Sequence, residues 1–233
     1  MTLPGKVAVK VHSGEKGNQN FLRPDFWKPV IDRVGGTVVE CNTAYEGMRN
    51  TTERHRQLFR EHGWMDYYKV DLLDAEGPDL VLDIPNGKVI QKNYVGQDIQ
   101  NYDSMLVLSH FKGHPMGGYG GALKQLSIGC ASSFGKAYIH GAGVPEDIWT
   151  ADHDSFLESM ADAAASVVEL FKGQIVYVNV MKNMSVDCDC CAVAEDPGKP
   201  HLIERIESRN GVHTIEAAAE LGFGLREYEL ITV

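Results

Sequence analysis

No stretch of this chain approaches the roughly 20 apolar residues that a bilayer-spanning helix requires. Its first residues, MTLPGKVAVK, lack a signal-peptide pattern. The expectation is a cytoplasmic protein with no membrane contact. Positive charge is also in short supply: 22 Lys and Arg against 32 Asp and Glu leave a net charge of -10. Phosphate backbones call for clustered Lys and Arg, so no nucleic-acid partner is expected. A small anionic ligand in a local basic pocket stays compatible with that balance. Several catalytic signatures are missing. There is no GxxxxGK[ST] loop, no GxGxxG fingerprint at a strand–helix turn and no G-x-S-x-G elbow. Ser109, Ser132 and Ser133 carry no pattern that marks a nucleophile. The five cysteines do not form the paired spacings of zinc ribbons or ferredoxins.

What is present is an ordinary globular composition, 43% hydrophobic and 23% charged over 233 residues, enough for one sizeable core and one domain spanning 1–233. Lys6 to His12 alternates as a strand, with Val7, Val9 and Val11 on one face and Ala8, Lys10 and His12 on the other. Pro24 opens a helix that Gly35-Gly36 closes. Strands follow over 37–41, near 69–73, 79–83 and 88–91, with Asn86-Gly87 as a hairpin turn. A helix covers 51–62. The apolar run Met105 to Leu108 reads as a buried strand. Asp152 or Asp154 caps a long helix reaching Lys172, whose Phe156, Leu157, Met160, Ala163, Ala164, Val167, Val168 and Phe171 share a core face. A strand over 174–181, helices over 201–208 and 213–221, and a short strand from Tyr228 to Val233 complete the reading. Strands alternating with helices predict a layered α/β fold with a mostly parallel sheet flanked by helices.

Chemistry concentrates in SHFKGHPMGGYGGALKQLSIGC, Ser109 to Cys130. Core packing does not call for this mixture of His, Lys, Cys and Gly. His110, His114 and Lys124 are the candidate catalytic residues. Gly113 and Pro115 argue against a helical His-x-x-x-His metal pair. Gly117, Gly118, Gly120 and Gly121 resemble an anion-cradling loop, with Lys124 adding charge. Lys10 and His12 extend that cofactor- or ligand-binding set from the first strand. A buried Lys10 needs a partner, and Glu15 and Asp187 are the candidates. Arg23, Arg49 and His55 could extend an anion-binding surface, although arginine and histidine in helices are usually solvated. Cys188, Cys190 and Cys191, together with Cys130, are the candidate ligands of a metal ion or iron–sulfur cluster in a reducing compartment. Four strands end in polar material, so a parallel sheet would gather these groups at one edge.

The runs Lys10 to Asn18 with Arg23-Pro24, Ser109 to His114, Gly120 to Lys124 and Asp187 to Cys190 resemble the domain-of-unknown-function family 362. So does the ending Ala219 to Gly224 with Tyr228 to Ile231. Members are often labelled iron–sulfur centre proteins, which implies a metal- or cluster-associated redox-type protein, with a redox partner or small anion as its ligand. The segment after Gly135-Lys136 lacks the ferredoxin insert of many relatives. A further stretch present in relatives is missing between Pro197 and Gly198. His114 and Lys124, ten residues apart across a Gly-Gly-Tyr-Gly-Gly turn, are also similar to a segment of the nickel-pincer lactate racemases. That likeness implies Lys124 as cofactor anchor and His114 as acid/base or metal ligand, in a racemase or epimerase acting on a small hydroxy acid. A non-enzymatic module with a structural zinc is the third reading.

Overall fold

The computed structural model describes residues 2–189, 193 and 201–232. Strand β1 (Val7–Lys10) leads to helix α1 (Pro24–Val34), which has proline in its first turn and ends at Gly35 in the left-handed conformation. Strand β2 (Thr37–Glu40) leads to α2 (Thr52–Glu61), capped by the Thr51 side chain on the Arg54 N–H. Strand β3 (Val70–Leu72) follows, then an antiparallel pair, β4 (Leu80–Asp83) with β5 (Lys92–Val95). Strand β6 (Ser104–His110) feeds a small antiparallel hairpin, β7 (Lys112–His114) with β8 (Gly118–Gly120). Helices α3 (Ala122–Cys130), α4 (Ser133–His140) and α5 (His153–Leu170) come next, then β9 (Ile175–Val180), α6 (Leu202–Glu207) and α7 (His213–Glu220).

The main sheet has the order β3-β2-β1-β6-β9, and every pairing in it is parallel. Both faces are covered, as a parallel sheet requires. Val7, Val9, Leu106 and Leu108 pack on Trp27 and Ile31 of α1 and on Phe59 and Trp64. Ala8, Met105 and Val107 pack on Leu126 of α3 and on Ala164 and Val167 of α5. All seven residues of β6 are buried. Each large apolar side chain among them contributes about 1.5–3 kcal/mol by leaving water. The core face read along α5 is buried as its period demands, and Asp152 is its cap. No helix among the described residues is long and apolar enough to cross a membrane.

The fold class is as the sequence predicts, and three local readings change. The strand expected near 88–91 forms at Lys92–Val95, because the N–H groups of Lys88, Val89 and Ile90 bind the fully buried Asp162 carboxylate at 2.8, 2.7 and 3.0 Å. The expected strand from Tyr228 is absent through residue 232. Tyr228, Leu230 and Ile231 are exposed and gain no ladder hydrogen bonds. Helices α3 and α4 were hidden by their glycines. A Cβ on Gly135 would sit 1.9 Å from the Tyr94 carbonyl oxygen, so this glycine is what lets α4 lie against β5.

Candidate functional site

Strand order reverses between β1 and β6. In open α/β sheets that reversal leaves a crevice beyond the strands' carboxyl ends. A cavity of about 390 Å³ lies there. The strand ends give it Lys10, His12, Glu40, Ser109 and His110; β7 gives Lys112 and His114; α3 gives Lys124; α4 gives Lys136 and His140. The strand ends therefore meet along one edge, as parallel pairing of these strands requires.

The sequence-derived candidates divide as follows. Lys10, His12, His110, His114, Gly120, Gly121, Lys124 and Cys188 line the cavity. Gly117 and Gly118 do not line it. The Gly117 N–H binds His114, and Gly118, at φ +72°, packs on Gly211. Cys130 is buried in the helix–sheet core, its thiol pushed up to about 11 by burial. Cys190 and Cys191 lie outside the described residues.

The cavity's charges fall into two groups. In the first, cations are neutralised. Asp189 is fully buried. It binds the Lys112 ammonium and faces His110 Nδ1 at 3.0 Å and His12 Nε2 at 3.4 Å. Burial opposes its charge, but the hydrogen bonds from both histidines and the Lys112 ammonium hold its carboxyl far below the usual carboxylate range. Arg49 joins Glu15 at 2.9 Å and Glu40 at 2.8 Å. His12 thus faces both Asp189 and Glu40 and His110 faces Asp189, while neither carboxylate expected for Lys10 pairs with it. The expected Asp187 instead pairs with Arg205 and Arg209, and Glu15 with Arg49. In the second group, Lys10, Lys124 and Lys136 have no carboxylate at ion-pair distance among the described residues. Lys10 and Lys136 donate only to the carbonyls of Val11 and Ala131, each at 2.5 Å. Burial, reinforced by Lys112, Arg49 and Lys136, lowers Lys124 to about 7, so near neutral pH much of it is free amine.

Hydrogen bonding fixes the histidine tautomers. His114 Nδ1 accepts the N–H groups of Met116 and Gly117 at 3.2 and 3.0 Å. A nitrogen receiving two donors holds no proton, so the ring proton sits on Nε2. Burial and then Lys124 push this imidazole well below its ordinary value, so it stays neutral. His140 is the reverse: Nδ1 donates to the Lys136 carbonyl at 2.7 Å, which leaves Nε2 as an acceptor. Burial brings it to about 4. His110 faces acceptors on both sides, Asp189 and the Lys182 carbonyl at 2.6 Å, so neither nitrogen is a free proton carrier. Ser109 Oγ is buried at the cavity wall with no hydrogen-bond partner.

Sequence reasoning missed Lys136, His140 and Glu40, and it discounted Arg49 as a solvated helix residue although it lines the cavity. Arg49 lies on the loop after β2 rather than on a helix, and His55 is fully buried between Asn42 and Glu40. Lys136 and His140, four apart on one helix face, were the readable signal.

The chain matches the family described as Domain of unknown function (DUF362) over residues 7–214. It belongs to this family. No curated protein matches this DUF362 chain. Among solved structures, it is similar to the lactate racemase apoprotein from Thermoanaerobacterium thermosaccharolyticum, at 16% identity and a TM-score of 0.45 over 69% of this chain and 40% of that one. It is also similar to a protein from Thermotoga maritima, at 14% identity and a TM-score of 0.48 over 94% of this chain and 56% of that one. The chain thus spans about half the length of these solved proteins. At such identities the likeness concerns the arrangement of strands and helices alone. Of the expected cluster ligands, Cys188 and Cys130 lie among the described residues. Among the described residues no group of three or more His, Cys, Asp or Glu side chains is placed to hold a metal ion. Burial raises the thiols of Cys41 and Cys130 above their ordinary value.

Proposed function

We propose that this protein is an enzyme that binds a small carboxylate and moves a proton at the carbon beside its carbonyl or carboxyl group. One observation carries the reading. In a chain of net charge -10, one cavity gathers three lysines that have no carboxylate at ion-pair distance among the described residues, beside two neutral histidines of opposite tautomer. The lysines and Ser109 attract and hold the anion. Lys124, as free amine, takes the proton, and the C–H electron pair shifts onto the adjacent oxygen. His114 Nε2–H donates to that developing oxyanion, and a neutral imidazole does this without first losing a proton. His140 Nε2 accepts a substrate hydroxyl. Return of the proton from the Lys124 ammonium to the same carbon exchanges it with solvent, and return to the neighbouring carbon completes an isomerisation; either restores the amine. Incubation with small 2-hydroxy and 2-keto acids in deuterated water tests this. Deuterium should enter at the 2- or 3-carbon, at a rate that rises through about pH 7 as Lys124 loses its proton. Lys124→Ala should lower that rate by at least 10²-fold. No exchange with any of these acids, or exchange undiminished in Lys124→Ala, refutes the role.

A metal-associated redox function keeps one supporting observation, Cys188 lining the cavity, two residues before Cys190 and three before Cys191 in sequence. Metal analysis after anaerobic purification separates the two readings. Bound iron or zinc released by replacing Cys188, Cys190 and Cys191 would favour the redox or structural-zinc function.

A further inference from the structure

Two large aromatic side chains, Tyr45 and Trp149, line the charged cavity, and neither is packed away. Trp149 is 62% exposed and Tyr45 39%, while the chain's other tryptophans, Trp27 and Trp64, are buried. Their ring centroids stand 6.1 Å apart with the planes at 50°. They come from different parts of the fold, the loop after β2 and the segment before α5. Both backbones are fixed. The Thr43 N–H binds the Arg49 carbonyl at 2.8 Å, and the Thr43 hydroxyl binds the Tyr45 carbonyl at 3.2 Å. On the other side Thr150 and Ala151 donate to the Asp147 carbonyl at 2.9 and 3.0 Å. Met116 and Pro115 continue the apolar wall.

An exposed tryptophan costs solubility and adds nothing to the core, and next to an anion cavity it offers a flat contact face. A planar ring between two others needs about 7 Å, two contacts of about 3.5 Å. The pair must part by roughly 1 Å, which rotation of two solvent-facing side chains allows. We infer that Tyr45 and Trp149 form a second subsite for a flat aromatic group, so that the ligand is an aryl-bearing acid, its carboxylate among the lysines and its ring against these two side chains. The inference rests on the anion-binding reading above and deepens it to a ligand class.

Calorimetric titration of the full chain with acetate and with phenylacetate tests it. Phenylacetate should bind about 10- to 100-fold more tightly than acetate, the range expected for two aromatic contacts with their buried area. In Trp149→Ala that ratio should fall at least fivefold, and red-edge tryptophan emission should respond to phenylacetate in the parent but not in Trp149→Phe. Acetate binding with a ratio near one overturns the aromatic subsite and leaves the anion reading standing. A ratio that survives Trp149→Ala overturns the assignment to this pair. Binding of neither acid overturns both.

Discussion

Replacing Lys124 with methionine should stabilise the protein at about pH 6 and confer almost nothing by about pH 10. Burial and three neighbouring cations bring this lysine from 10.5 to about 7. Below about pH 7 the amine is protonated in the folded and unfolded chains alike, and the folded state bears the whole cost of the charge. Between about 7 and 10.5 the folded protein has released the proton while the unfolded chain keeps it, so parental stability climbs with pH. Above 10.5 both states are neutral and the cost is gone. At ~1.36 kcal/mol per unit the full span reaches ~5 kcal/mol. Solvent entering the cavity screens part of this, so a net of about 1–3 kcal/mol is expected. Methionine is close to the lysine stem in size and carries no charge. Urea unfolding of both proteins at intervals from about pH 6 to 10 measures the difference, in which the titrations of groups remote from Lys124 cancel. An advantage for the methionine variant that is flat with pH, or a variant weaker than the parent at pH 6, would refute the electrostatic account of the cavity.

Asp189→Asn should cost about 3–5 kcal/mol at pH 7, because it leaves the Lys112 ammonium buried beside an uncharged amide. Because folding depresses the Asp189 carboxyl, its stability is complete above the unfolded value of about 3.9 and is lost as pH falls further. The gap between the melting curves of parent and variant should therefore start to narrow as pH falls below about 4, and a gap that has not narrowed at all by about pH 2 contradicts this. Asp162→Ala should cost about 2–4 kcal/mol, since three N–H groups, that of Ile90 buried, lose their acceptor. Hydrogen exchange should accelerate at Lys88, Val89 and Ile90 in particular, and unchanged protection there would show that another group holds the loop.

Local signals carried the fold further than they carried the site. Pro24 with Gly35, and Asp152 with the period of α5, act within a few residues, so propensity and burial agree. The parallel sheet followed from alternation of elements. The Tyr228 segment failed because a strand's stability comes from its neighbours, which propensity does not reveal. Lys10, His114 and Lys124 were legible as chemically unusual residues in glycine-rich surroundings. Their states were not. That His114 is a donor and His140 an acceptor depends on the Gly117 amide and the Lys136 carbonyl, and no spacing rule encodes those contacts. Arg49 was hidden for a related reason: its role comes from Glu15 and Glu40, distant in sequence and adjacent only after folding.

Three lysines crowded into one hollow make the unliganded fold a repelling one to the extent that they carry protons, and any anion that settles there relaxes it. Binding and thermal endurance are therefore the same quantity seen twice. A ligand at a hundredfold above its dissociation constant adds about 2.7 kcal/mol of resistance to unfolding. The melting midpoint of the unmodified protein can thus survey a library of acids for its natural guest with no assay of turnover.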